Sequence, residues 1–313
     1  MDFTVAIPTY NGASRLSEVI EKLKAQIGTE NIAWEILVID NNSSDNTAQI
    51  VQEFQTHWSY PFPLQYHFEP EQGLAYARQR AINEAKGTFL GFIDDDNLVA
   101  PNWVAEALSF GREHPRAGAY GGQIHPAFEV PPPENFENII GFLAIRERDT
   151  QPQQYNPKIL SLPPGAGLVA RVQAWRECFS KPSLFAGRLG KSMVGGEDWE
   201  PLIYMHKAGW EIWYAPNLHL DHKIPASRLS EDYLLSLIHG SCLCFYPLRL
   251  LQASPTEQPA LLARTVLGNW LKAASYYLKN RRKLKTDLVA KCELQIYWSR
   301  ALSPFYFFKQ RYL

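Results

Sequence analysis

Over roughly its first third the chain alternates short β-branched and aromatic runs with stretches whose apolar residues recur at helical spacing, and this alternation limits the fold more than any other feature. Phe3 to Pro8, Trp34 to Asp40, Leu64 to Phe68 and Phe89 to Asp94 read as strands. Ser14 to Ile27, Thr47 to Gln55 and Leu74 to Ala85 read as helices, with Leu16, Val19, Ile20 and Leu23 on one apolar stripe. Parallel neighbours need crossover connections, so a β-α-β-α series predicts an α/β structure with a mostly parallel, Rossmann-like sheet flanked by helices. Pro101 suits the first turn of a further helix reaching His114, and a strand follows over Ala119 to His125. Three consecutive prolines within Val130 to Asn135 cannot donate to a sheet and mark a loop where the organisation changes. Beyond it come a Gly-rich turn at Pro163 to Gly167, a short helix over Arg171 to Phe179 and a strand over Glu211 to Tyr214. From Ser227 onward the pattern is helical, rich in Leu, Tyr and Trp.

Composition narrows the partners. A formal net charge of -1 argues against a phosphate backbone, so no nucleic-acid partner is expected. Cys178, Cys242, Cys244 and Cys292 lack metal-finger spacing and suit free thiols in a reducing compartment. Phe3 begins a strand at once, without a basic or signal-length apolar leader, which predicts a cytoplasmic protein. The most apolar later window, Tyr233 to Gln252, is broken by His239, Ser241, Pro247 and Arg249, so it suits a helix lying at a membrane surface better than one crossing it.

In an open parallel sheet ligands bind beyond the carboxyl ends of the strands. The first strand runs into Pro8, Thr9, Tyr10 and Asn11, the second into Asp40, Asn41 and Asn42, and the fourth into Asp94, Asp95 and Asp96. Three adjacent carboxylates repel one another unless water or a cation neutralises them. Mg²⁺ and Mn²⁺ bind through one or two carboxylates with substrate phosphates and water filling the remaining positions; for the triplet taken alone, a solvated turn leading into the Pro101 helix is the commoner explanation. Glu197 and Asp198 follow Gly195 and Gly196 at the start of a helix through Ala208, where acidic residues also suit the helix dipole. His222 lies in an alternating run that places His219 and Asp221 on one face and Leu220 and His222 on the other.

The ordered set Val5-Ala6-Ile7-Pro8-Thr9-Tyr10-Asn11-Gly12, Ile36-Leu37-Val38-Ile39-Asp40-Asn41-Asn42, Gly73-Leu74-Ala75-Tyr76-Ala77-Arg78, Phe92-Ile93-Asp94-Asp95-Asp96, Gly195-Gly196-Glu197-Asp198 and Asp221-His222-Lys223-Ile224-Pro225 resembles the family 2 glycosyltransferases, which have the GT-A fold. The overall look is similar to bacterial exopolysaccharide enzymes, cyanobacterial ones among them. The resemblance implies a GT-A catalytic domain over residues 1–226, with a nucleotide-binding half to about 128 and an acceptor half from about 129, followed by a helical region over 227–313. It assigns Pro8, Thr9, Tyr10, Asp40, Arg78, Asp94 and Asp95 to the nucleotide-sugar, Asp96 and His222 to a divalent cation, Mn²⁺ or Mg²⁺, and Asp198 to the catalytic base. Glu197 and Arg228 are accessory candidates. The processive branch's Gln-x-x-Arg-Trp motif is absent after the acidic pair, which favours single addition.

The function expected from this resemblance is inverting, metal-dependent transfer of a sugar from a nucleoside-diphosphate donor, UDP-linked, to a saccharide or lipid-linked saccharide. The location expected is the cytoplasm or the inner face of the plasma membrane, met peripherally through the C-terminal helices. Loops around Pro163 to Gly167 and Ser180 to Gly195 set which sugar and acceptor fit. A non-catalytic nucleotide-sugar-binding or scaffold protein of a polysaccharide-assembly complex is the alternative. A nucleotidyltransferase is disfavoured, because no Gly-rich loop with a following Lys or Arg stands near the N-terminus.

Overall fold

The computed structural model describes residues 1–179, 183–187 and 192–312, so the loop expected from Ser180 to Gly195 falls partly outside the described residues. The strands are β1 (Phe3–Thr9), β2 (Trp34–Asp40), β3 (Leu64–Phe68), β4 (Phe89–Phe92), β5 (Asn97–Val99), β6 (Ala117–Phe128), β7 (Gln153–Gln154), β8 (Val169–Arg171) and β9 (Glu211–Ile224). The helices are α1 (Leu16–Lys24), α2 (Thr47–Thr56), α3 (Leu74–Glu84), α4 (Trp103–Glu113), α5 (Val172–Cys178), α6 (Trp199–Lys207), α7 (Glu231–Leu243), α8 (Phe245–Leu250), α9 (Gln258–Asn280) and α10 (Leu288–Tyr312).

Two compact units result. The first comprises Met1–Ala127, Ile145–Ala186 and Glu197–Lys223; the second comprises Phe128–Ala144, Gly187–Gly196 and Ile224–Leu313.

The first unit is built on one sheet of order β3-β2-β1-β4-β8-β6-β9-β5, with β7 on β9. The parallel expectation holds for β3, β2, β1 and β4. From β4 onward the pairs β4–β8, β6–β8, β5–β9 and β7–β9 are antiparallel, so the sheet is mixed. Every residue of β1 and β2 is buried, as a central strand covered on both faces requires. The four buried residues of α1, Leu16, Val19, Ile20 and Leu23, are those of the predicted stripe. Gly91 leaves room for Trp103 of α4, since a Cβ there would stand 2.4 Å from the indole. The indole meets Phe3 edge to face, with ring centroids 5.9 Å apart.

β9 runs ten residues past the predicted end at Tyr214, to Ile224. Pro216 lies inside it, and a proline in an apolar run reads as a strand stop. Beyond that proline the alternation is strict: Leu218, Leu220 and His222 are buried, while Asn217, His219 and Asp221 are exposed. That is the facing expected for His222.

In the second unit Ser230 caps α7 by accepting the Tyr233 amide. Ser303 of α10 donates to the Leu243 carbonyl (2.6 Å) and accepts the Tyr246 amide (3.0 Å), which ties α10 to the junction of α7 and α8. Tyr276 of α9 donates to Glu293 of α10 (2.6 Å). Among the described residues no helix is long and apolar enough to cross a membrane, and all four cysteines are free.

Candidate active site

The polar residues after β1 and β4 interlock. Thr9 Oγ1 donates to Asp95 Oδ2 (2.6 Å), and Arg15 grips both Asp95 oxygens from Nε and Nη2, each at 2.9 Å. The bond to Asp95, chief among several charge effects, raises the Arg15 pKa. Gly12 is required at this crossing, because a Cβ would stand 2.0 Å from Thr9 Oγ1 and 2.7 Å from Asp95 Oδ2. Asp95 therefore braces the first turn of the site, with its carboxylate turned toward Thr9 and Arg15. Arg15 carried no signal in the sequence.

The end of β2 is organised just as closely. Asp40 is buried, accepts the Ser43 amide on Oδ1 (2.9 Å) and the Tyr66 hydroxyl on Oδ2 (2.7 Å). Burial first, and then that bond, raise the Tyr66 pKa well beyond its ordinary range. Asn41 holds the loop before α3, accepting the Gly73 amide (2.7 Å) and donating to the Glu71 carbonyl (2.6 Å). Asn11 adopts a left-handed φ of 50° and accepts the Ser44 amide, which fastens the β1 turn to the β2 turn. Pro8 is buried within β1, whereas Tyr10 is 48% exposed at the rim.

Beyond β4 the carboxylates meet their partners. Asp94 is half-buried; desolvation, together with Asp96 and Asp95, raises its pKa, while Arg78 and His222 oppose the shift. Arg78 of α3 is 3% exposed, lies over the Phe92 ring at 5.4 Å and stands 3.6 Å from Glu197 Oε1. Its Nε and Nη1 have no hydrogen-bond acceptor among the described residues. Gly165 lies against the same guanidinium, where a Cβ would come within 2.0 Å of Nη2. The Gly165 amide donates to Asp198 Oδ2 (2.9 Å), which fixes the N-cap of α6.

Asp96 and His222 meet through β5. The three-residue strand pairs Asn97 with His222, and Asp96 Oδ1 lies 3.5 Å from His222 Nε2, both side chains being buried. Asn97 Nδ2 donates to the same Asp96 oxygen (3.0 Å). Among the described residues no three His, Cys, Asp or Glu side chains converge as a closed metal cage. Asp94, Asp96, Arg78, Glu197 and His222 thus form one electrostatic cluster, and Asp198 adjoins it through Gly165. Arg146, hidden in the sequence, lies near enough for the Asp198 charge to act on it, while burial lowers its pKa. Arg228 belongs to the second unit, half-buried in the turn Ala226–Leu229.

The model of Glycosyl transferase family 2 matches residues 4–172, more than half of the chain. The chain belongs to glycosyltransferase family 2. This family 2 glycosyltransferase is 25% identical over 231 residues to the succinoglycan biosynthesis protein ExoM of Rhizobium meliloti, an overlap covering 74% of this chain and 69% of ExoM. The uncharacterized glycosyltransferase YfnE of Bacillus subtilis is 36% identical over 109 residues, and that match spans only 34% of this chain and 26% of YfnE. Among solved structures, mannosyltransferase PcManGT from Pyrobaculum calidifontis, in complex with GDP-Man and Mn²⁺, superimposes with a TM-score of 0.65 at 19% identity, covering 97% of this chain and 87% of its own. Its likeness establishes the fold, that of a GT-A glycosyltransferase.

Proposed function

We propose that this glycosyltransferase moves a sugar from a nucleoside-diphosphate donor, with uridine as the base, to one hydroxyl of a saccharide or lipid-linked saccharide in polysaccharide assembly. The carrying observation is the polar cluster in which Asp94, Asp96, Arg78, Glu197 and His222 gather beside Gly165, whose amide holds Asp198. Asp40, Thr9, Pro8 and Tyr10 line the base end, and Asp94 faces the ribose. Arg78 keeps a buried Nε without a hydrogen-bond acceptor among the described residues, beside an Nη1 that stands 3.6 Å from Glu197, and a guanidinium so placed suits a diphosphate oxygen. Asp95 serves from behind as a brace, and Glu197 keeps Arg78 in place.

The donor set fits a hard divalent cation. One carboxylate oxygen and one imidazole nitrogen, 3.5 Å apart and buried, leave most coordination positions to diphosphate and water, as Mn²⁺ and Mg²⁺ require. Bound there, such a cation supplies Lewis-acid charge to the departing diphosphate. The remaining work falls to the chain. Asp198 accepts the acceptor's proton as its oxygen bonds to the anomeric carbon and the bond to the diphosphate breaks on the opposite side. One displacement inverts the anomeric configuration. Asp198 is held in position by the Gly165 amide, with the Arg146 charge nearby.

The test is a panel of nucleotide sugars with Mn²⁺ or Mg²⁺, scored for sugar transfer and nucleoside-diphosphate release. One UDP-sugar is expected to turn over in a cation-dependent way, and Asp198→Asn to bind it without turnover. Cation-dependent binding with no turnover by the unaltered chain would instead support the scaffold role.

A further inference from the structure

The second unit presents an apolar stripe outward. On α9, Leu267, Trp270, Leu271, Tyr277 and Leu278 are 61%, 52%, 61%, 54% and 69% exposed. At 3.6 residues per turn they share one side of the helix, within an arc of about 120°. The buried Thr265 and Ala273, and Tyr276 with its bond to Glu293, lie on the other side, where α10 packs. One face of α9 thus serves the helical bundle, and a second, lined by large apolar side chains, faces out.

Charge identifies what meets that second face. Between Gln258 and Thr286 the basic residues are Arg264, Lys272, Lys279, Arg281, Arg282, Lys283 and Lys285, all exposed, and the segment contains neither Asp nor Glu. Arg264 stands at the edge of the stripe, about 20° round the helix from Leu271, and Arg281 lies in line with the stripe just past the end of α9, while Lys272 and Lys279 project from further round the helix. Near its start, Arg264 of α9 adds its field to Arg249 of α8 and Arg300 of α10. The Arg249 and Arg300 guanidiniums both lie over the Phe245 ring, at 5.0 and 4.6 Å. Their Nε atoms are buried and lack hydrogen-bond acceptors among the described residues. Burial and the other two arginines lower the Arg249 pKa, and no carboxylate enters that balance. Two arginines with unpartnered Nε atoms, and an exposed third close enough to act on one of them, suit an anion.

We infer that the α9 stripe is a membrane-docking surface whose partner is an anionic phospholipid bilayer: Leu267, Trp270, Leu271, Tyr277 and Leu278 enter the interfacial layer, while the flanking bases and the arginine trio engage headgroup phosphates. Trp and Tyr suit the headgroup level, and Lys and Arg gain from the negative surface. The inference deepens the lipid-linked acceptor of the proposed function, yet its test needs no acceptor.

The test is co-sedimentation of the full chain with vesicles of phosphatidylcholine alone or phosphatidylcholine with phosphatidylglycerol, at low and high salt. Binding is expected to the anionic vesicles, to weaken with salt, and to fall about tenfold or more in L271E/L278E, with helical content and melting unchanged. R264Q/R281Q is expected to reduce binding to anionic vesicles alone. No binding to anionic vesicles, or binding that ignores both double variants, overturns the inference. So does a dimer seen by light scattering that L271E/L278E dissolves while vesicles bind nothing, because the occupant would then be a second copy of the chain. Donor hydrolysis in solution, expected unchanged in L271E/L278E, keeps this outcome separate from failure of the sugar-transfer reading.

Discussion

Replacing Gly165 by alanine should disturb the donor site through Arg78. The added Cβ would lie 2.0 Å from Nη2, 2.7 Å from Cζ and 2.8 Å from Nη1 of that residue. Carbon contacts settle near 3.5–4.0 Å, so the guanidinium must retreat by about 1.5 Å. An exposed arginine would swing away at little cost. Arg78 is 3% exposed, with Phe92 beneath it and Glu197 beside it, so the displacement should cost about 1–3 kcal/mol, the range for overpacking a filled interior. Urea unfolding of the unaltered chain, Gly165→Ala, Arg78→Lys and the double variant separates this cause from others. A lysine keeps the charge but carries a slimmer head, so the double variant should be more stable than the sum of the single losses by about 1 kcal/mol. Additivity within about 0.5 kcal/mol, or a Gly165→Ala protein as stable as the original, would refute the packing argument. Calorimetric titration should also find nucleotide-sugar affinity reduced in Gly165→Ala and partly restored in the double variant.

Tyr66→Phe removes the hydroxyl that donates to Asp40 Oδ2, and a bond to an ionised group is worth about 1.5–3 kcal/mol, so both urea stability and uridine-nucleotide affinity should fall. Burial lowers the His239 pKa below its ordinary 6.5, and its ring meets Ser299 at 2.8 Å. The unfolded chain therefore takes up a proton there more readily than the folded one, so this contribution to stability is whole above pH 6.5 and is lost as pH falls through that value toward the lower folded pKa. Melting followed from pH 7.5 to 5.5 should show a smaller loss for His239→Gln than for the unaltered chain. His67 and His219, whose pKa values burial also lowers, should retain the remainder of that loss. Trp103→Ala should cost about 3–5 kcal/mol by emptying the space above Gly91, measured by the same unfolding assay.

The parallel half of the sheet was legible because local pattern and tertiary role agree there. β2 and β3 begin and end where the alternation of apolar runs places them, and the buried face of α1 is its periodic face. The antiparallel half was not. β8 and β5 are three residues each, too short to carry a period, and Pro216 hides the length of β9. The chemistry-bearing residues at strand ends were visible from their position, since the ends of parallel strands face one side. Their supports were invisible, because Arg15 reaches Asp95 from 80 positions away and Tyr66 reaches Asp40 from 26. Asp96 and His222 are brought together by β5 pairing with β9, a contact that no local pattern encodes. The exposed α9 stripe shows the converse limit: periodicity detects an apolar face but not whether protein covers it.

Binding of Mn²⁺, followed by water-proton relaxation as UDP is added, tests the cation site at its source. The unaltered chain and Asp198→Asn should both form the enhanced ternary complex. Asp96→Ala should abolish it, and His222→Ala should weaken it. A full-strength complex in Asp96→Ala would place the ion elsewhere and contradict the account.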